Sequence, residues 1–128
     1  REAVNRMSTK KGDTGGAIVN LSSIAALLGA PNQYADYAAS KGAIDTFTRG
    51  LAPEVAEEGI RVNGVRPGII DTEIHASGGD PDRARKLRDI IPMKREGSAE
   101  EVAEAILWLM IDKASYVTGA TLDVSGGR

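Results

Sequence analysis

The chain has 128 residues, 41% hydrophobic and 27% charged, enough for one compact soluble domain with a modest core. A net charge of −2 gives no basis for expecting nucleic acid or an anionic membrane as partner, and the absence of cysteine excludes disulfides and thiolate metal sites. One histidine, His75, is too few for a zinc cluster, and with neither a membrane-spanning run nor a signal-peptide pattern a cytoplasmic domain is expected.

Residues 1–11 read as the last turns of a helix, with Ala3, Val4 and Met7 as an apolar stripe and Gly12 as the stop signal. A helix ending this close to Arg1 leads to the expectation that the sequence begins inside a domain. Residues 12–16, Gly-Asp-Thr-Gly-Gly, form a turn. A dinucleotide loop would follow a strand and open a helix, whereas here the order is reversed, and no Gly-x-Gly-x-x-Gly occurs in the chain. Residues 17–21 are a short apolar run rich in β-branched side chains, the pattern of a buried parallel strand. Ser22 and Ser23 fall at its carboxyl end, the edge at which open α/β sheets bind ligands. The apolar residues 24–29 suit a pocket wall.

A helical pattern opens at Pro31-Asn32 and runs to about residue 58, where Gly59 ends it. Ala35, Ala38, Ala39 and Ala43 would give it a small-residue surface that another helix or a cofactor could approach, and Pro53 would kink it. Residues 60–65 predict a second strand, stopped by Pro67-Gly68. Strand, long helix and strand in sequence predict a β-α-β unit with parallel strands and a right-handed crossover. Residues 69–97 form a long polar connection with a short helical piece around 83–91, expected to act as a lid. Ser98-Ala-Glu-Glu101 is a capping box opening a helix with Val102, Ala105, Ile106 and Leu109 on its apolar face, ending near Asp112. Trp108 lies off that stripe and suits either a packing interface or burial against residues outside the chain. Residues 121–124 predict a last strand, closed by Gly126-Gly127.

The chemistry concentrates in Ser23, Tyr37 and Lys41. Tyr37 and Lys41 are four apart, hence on one helix face. A phenol titrates near pH 10 in water, about three units too high for neutral proton exchange, and an ammonium close by favours the phenolate. So placed, Tyr37 would give a proton to a carbonyl oxygen or take one from an alcohol, and Ser23 would hold the same oxygen. Neither residue supplies hydride, so a nicotinamide cofactor is expected to do so. Tyr and Lys at this spacing also form ordinary solvated pairs, which leaves the pair ambiguous by itself. Tyr34 has Ala38 rather than a cation at i+4 and reads as a pocket or structural residue.

In chain order, Asn20-Leu-Ser-Ser23, Tyr37-x-x-x-Lys41, Arg61-Val-Asn63, Pro67-Gly68-x-x-x-Thr72 and Asp123-x-x-Gly-Gly127 together resemble the carboxyl-terminal half of a short-chain dehydrogenase/reductase of the compact reductase type. The similarity extends over essentially all 128 residues and is nearest to bacterial glucose 1-dehydrogenases and 3-oxoacyl-carrier-protein reductases. It implies an α/β fold, the carboxyl-terminal portion of a Rossmann-like doubly wound parallel sheet with flanking helices. It implies Ser23 as the catalytic serine, Tyr37 as general acid/base and a cofactor-binding residue, and Lys41 as the residue that assists the phenol and binds the nicotinamide ribose. Pro67, Gly68 and Ile70 match the segment passing the nicotinamide, Thr72 the hydroxyl at its carboxamide or phosphates, and Asn63 a structural link between strands. The family tends to form tetramers through the Tyr/Lys helix and the last helix and strand.

The family's Gly-rich loop, its residue choosing between NAD and NADP, and its helix asparagine are absent; Asn5 lies too near Ser23 to match the last. Residues 1–128 are thus expected to form a single partial domain, lacking the amino-terminal dinucleotide-binding half and inactive by itself. The implied activity is NAD- or NADP-dependent interconversion of a small-molecule alcohol and its ketone or aldehyde, with a homotetramer for the full-length protein. The competing reading is a catalytically silent binding or scaffold module. A sugar-nucleotide epimerase is disfavoured by the short region following the site, and a serine hydrolase by the absence of a Gly-x-Ser-x-Gly elbow. Substrate contact by His75 is open.

Overall fold

In a computed structural model, which describes residues 1–73 and 82–128, the elements follow as α1 (Glu2–Met7), β1 (Gly16–Leu21), α2 (Ala25–Leu28), α3 (Ala35–Val55), β2 (Ile60–Pro67), β3 (Ile70–Asp71), α4 (Arg83–Lys86), β4 (Gly97–Ser98), α5 (Ala99–Met110) and β5 (Thr121–Val124). Among the described residues β1, β2 and β5 form one parallel sheet with β2 in the middle. Being central, β2 is covered on both faces, so it is buried almost throughout, its polar residues Asn63 and Arg66 included.

Period-two alternation along β2 divides the core into two layers. Ile60 and Val62 point toward α3, where they meet Ala52 and Val55, with Val4 and Met7 of α1 packed against the same cluster. Val65 points the other way and meets Val102 and Leu109 of α5, together with Val19, Ile106 and Val124. Ile60, Val62 and Val65 are fully buried, and removing each from water stabilises the fold by roughly 1.5–3 kcal/mol. The same alternation sends the polar residues of β2 to opposite sides: Arg66 toward α3, Arg61 and Asn63 toward α5 and the loop behind it.

Several boundaries differ from the sequence expectation for identifiable reasons. The first helix breaks at Ser8, whose extended backbone (ψ 124°) stops α1, and residues 9–11 continue only as a 3₁₀ turn. Its stripe narrows to Val4 and Met7, because Ala3 is exposed. The long helix starts at Ala35 and not at Pro31, because Asn32 adopts a left-handed conformation (φ 60°) that no α-helix accommodates. It continues through Pro53 for two more residues. Its alanines do not share one surface: Ala38 is buried, whereas Ala35, Ala39 and Ala43 are exposed. Within residues 24–29, Ala25–Leu28 form a single helical turn, α2. The connection after β2 carries a second, two-stranded parallel pair, Ile70 with Gly97 and Asp71 with Ser98, and a satellite core of Ile69, Ala84 and Ile91. Among the described residues no helix is long and apolar enough to cross a membrane.

Candidate active site

The carboxyl ends of β1 and β2 lie side by side, with Leu21 opposite Val65. Beyond them the chain makes a corner at Ser22–Ser23 that is hydrogen-bonded to the end of β2: Ser22 N donates to Val65 O at 2.9 Å and Ile24 N to Pro67 O at 3.0 Å. The two serines then diverge. Ser23, half-buried, accepts a hydrogen bond at Oγ from Ala25 N at 3.2 Å, which fixes its side chain at the start of α2. Ser22 is buried, and its Oγ donates to the Lys41 carbonyl at 3.1 Å.

Lys41 answers that contact with its ammonium, which donates to Leu21 O at 3.0 Å. Two turns further along α3, Thr48 Oγ1 accepts from Asn20 Nδ2 at 2.9 Å and donates to Ile44 O at 2.8 Å. Helix α3 is therefore pinned onto the last residues of β1 by side chains from both elements. Tyr37, one turn before Lys41, is 45% exposed, and the Lys41 ammonium lies 5.6 Å from its ring centroid, within cation–π range. The arrangement presents a phenol, an ammonium and a hydroxyl near the carboxyl edge of a parallel sheet.

The segment after β2 is held close to β5. Gly68 N donates to Val124 O at 2.9 Å, and a Cβ at Gly68 would sit 2.7 Å from Ser125 Cα, so only glycine fits. Ile70 packs against the Val65–Val102–Leu109 cluster and helps to line a cleft of about 320 Å³ with Asp123, Ser125 and Gly126. Thr72 is exposed, one residue beyond β3. Backbone and side-chain hydrogen bonds thus bring Ser23, Lys41 and Pro67 into one corner with Tyr37 beside Lys41, while Ile70 and Thr72 lead away from it along β3. His75 lies outside the described residues. Among those residues no group of three or more His, Asp or Glu side chains could hold a metal ion.

Two polar features escape sequence reasoning. Ser22, beside the implied catalytic Ser23, is the serine whose hydroxyl holds the Lys41 carbonyl. Arg66 pairs through Nε with Asp45 Oδ2 at 2.8 Å and through Nη1 with Asp123 Oδ1 at 2.9 Å. Burial lowers the Arg66 pKa, but the hydrogen bonds and charges of the two aspartates outweigh it and hold the guanidinium above its usual range. A signal for this cluster does exist in the sequence: Asp45 follows Lys41 by four, on the face that carries Tyr37. Asn63 confirms its implied structural role, with Nδ2 donating to Val117 O at 2.8 Å and Oδ1 accepting from Ala120 N at 3.1 Å.

The family model described as Enoyl-(Acyl carrier protein) reductase matches residues 1–128. The chain belongs to the short-chain dehydrogenase/reductase family. Within that family it is 64% identical, over all of its own length and 52% of the other protein's, to the uncharacterized oxidoreductase YgfF of Escherichia coli strain K12. It is 47% identical to 3beta-hydroxysteroid dehydrogenase 1 of Eggerthella lenta, over 88% of this chain and 43% of that one. A solved 7 alpha-hydroxysteroid dehydrogenase, complexed with NADH and 7-oxo glycochenodeoxycholic acid, superposes with a TM-score of 0.84 at 35% identity, covering 97% of this chain and 47% of that one. This dehydrogenase/reductase chain spans about half the length of the curated relatives it matches.

Proposed function

We propose that this chain supplies the proton-transfer half of an NAD- or NADP-dependent dehydrogenase that interconverts a small-molecule alcohol and its ketone or aldehyde. The observation that carries the reading is the pairing of Tyr37 and Lys41 on one face of α3 beside the Ser23 corner, with the ammonium 5.6 Å from the phenol ring. Family membership and the NADH of the solved 7 alpha-hydroxysteroid dehydrogenase complex support the choice of cofactor.

The residues present fit such a cofactor. Lys41 has three N–H donors, of which one goes to Leu21 O, so its ammonium has donors left for ribose hydroxyls at the sheet edge. The Pro67–Gly68 turn, held against Ser125, would set a proline ring and glycine backbone beside a flat ring, continued by Ile70 and Thr72. When bound, the nicotinamide supplies or accepts the hydride at the carbon of the reacting group. Ser23 would hold the substrate oxygen through its hydroxyl. Tyr37 would deliver its phenolic proton to that oxygen in reduction and remove it in oxidation, and Lys41 would favour the phenolate that results. The cofactor's main berth belongs to residues outside these 128, as the half-length match to the relatives suggests, so the chain by itself is expected to be inactive. The exposed apolar face of α3, from Ala39 to Phe47, and exposed Trp108 on α5 support a homotetramer of the full-length protein.

The test is Tyr37→Phe in the full-length protein. Turnover should be lost while nicotinamide binding persists; normal turnover contradicts the reading.

A further inference from the structure

One turn beyond Lys41 lies the ionic cluster of Asp45, Arg66 and Asp123. The Arg66 and Asp45 side chains are only 10% and 11% exposed. Asp123 is the registered neighbour of Arg66 across β2 and β5 and is more open, at 43%. As a stabilising device the cluster is poor. Two carboxylates share one guanidinium, both members of the inner pair are largely withdrawn from water, and Asp45 Oδ1 is buried with no hydrogen-bond partner among the described residues.

What the cluster does provide is position. Tyr37, Lys41 and Asp45 follow one another at intervals of four on a single face of α3. Arg66 immediately precedes Pro67-Gly68, the turn read above as the nicotinamide surface. Its planar fork binds a strand neighbour with one arm and the helix with the other, a geometry that a flexible lysine would not reproduce. Ser22 and Asn20 fasten α3 to β1; Arg66 fastens it to β2 and, through Asp123, to β5. We propose that Arg66, Asp45 and Asp123 are positioning residues that set the Tyr37 phenol relative to the Pro67–Gly68 turn, and thus the proton donor relative to the hydride carrier. This inference rests on the dehydrogenase reading. Reacting groups misplaced by about 1 Å lose on the order of 10²-fold in rate, so a clamp of this kind acts on kcat and leaves binding nearly untouched.

The experiment compares wild type, Asp45→Asn and Arg66→Lys in the full-length protein, each also in a Tyr37→Phe background. Steady-state kinetics are read alongside NADH and NADPH dissociation constants from nicotinamide fluorescence. Asp45→Asn should lower kcat by about 10- to 100-fold, with cofactor dissociation constants and KM within about threefold of wild type. In the Tyr37→Phe background the same substitution should cost less than about threefold, because the clamp acts through the phenol. Arg66→Lys, which keeps the charge and loses the fork, should show the same pattern and carries the comparison if Asp45→Asn does not fold. An unchanged kcat in the folded variants overturns the proposal, as does an equal loss with and without the Tyr37 hydroxyl. A wild-type protein that transfers no hydride would instead contradict the dehydrogenase reading, and the clamp with it.

Discussion

Ser22 and Ser23 are adjacent hydroxyls whose different partners come from the corner the chain makes there. Leaving β1, the first serine falls under α3 and is buried against Lys41; the second turns outward and is caught by the amide of Ala25. The sequence permits the assignment of Ser23 as the outward one only through the motif it resembles, because two neighbouring serines carry no periodicity of their own. Gly68 is the opposite case. A glycine after a proline is an ordinary turn signal, and nothing local says that the neighbouring backbone of Ser125 stands where a Cβ would be, 2.7 Å away. Gly68→Ala must therefore push β5 from the end of β2. Overpacking of this sort costs about 1–3 kcal/mol, so a thermal midpoint lowered by several degrees is expected, with nicotinamide affinity lowered as well. A Gly68→Ala protein with wild-type midpoint and affinity would mean that the turn has slack the contact distance denies.

Helix α5 is controlled at both ends, and only one end was legible. The capping box is complete: Ser98 Oγ accepts from Glu101 N, and Glu101 Oε2 accepts from Ser98 N. That motif is local, so Ser98-Ala-Glu-Glu101 reveals it. The other end depends on Arg61, 48 residues before Leu109, whose guanidinium donates to the carbonyls of Leu109, Met110 and Ile111. Such a C-terminal cation satisfies orphan carbonyls and meets the negative end of the helix dipole, but no sequence spacing announces it. At the amino end the connection between α4 and α5 is strapped by Arg88–Glu96 and Arg95–Glu101 pairs. The Arg88 hydrogen bond holds the Glu96 carboxyl at about 2, and the Arg95 hydrogen bond, with the Ser98 amide, does the same for Glu101. Both values lie below the unfolded carboxylate value of 4.5, so the folded state binds fewer protons; the stabilisation is complete above about pH 4.5 and is lost as the pH falls toward 2. Arg88, Arg95 and Glu101 are open to solvent and only Glu96 is largely covered, so the effect is small and screened by salt. The thermal midpoint of the wild type should fall more steeply across that window than that of Glu96→Gln, and parallel curves would show that the Arg88–Glu96 pair contributes nothing.

The molecule as a whole is a parallel sheet with α3 and α1 on one face and α5 on the other, and this much could be read from the sequence. Two short strand candidates separated by one long helix have few other solutions. The β3–β4 pair could not be read, because two-residue strands leave no periodicity to detect. Nor could the division of the α3 alanines, since the exposed row depends on which face α3 turns to β2. That row, with Ala39 and Ala43 leading to Phe47 at 58% exposed, is apolar surface on the outer side of α3. If it joins copies of the full-length protein, Phe47→Glu should reduce the mass measured by light scattering from that of a tetramer to that of a dimer or monomer. An unchanged mass would remove α3 from the interface.

The proton-transfer role of Tyr37 is tested most directly by nicotinamide binding and turnover measured on one preparation of the full-length Tyr37→Phe protein. Removing one oxygen from a half-exposed ring leaves the Lys41 and Pro67–Gly68 contacts in place, so cofactor affinity should stay within about threefold, whereas loss of a general acid/base should lower kcat by about 10²–10⁴-fold. A kcat within about threefold of wild type, or a loss of turnover that merely follows a loss of cofactor binding, would contradict the assignment of proton transfer to Tyr37.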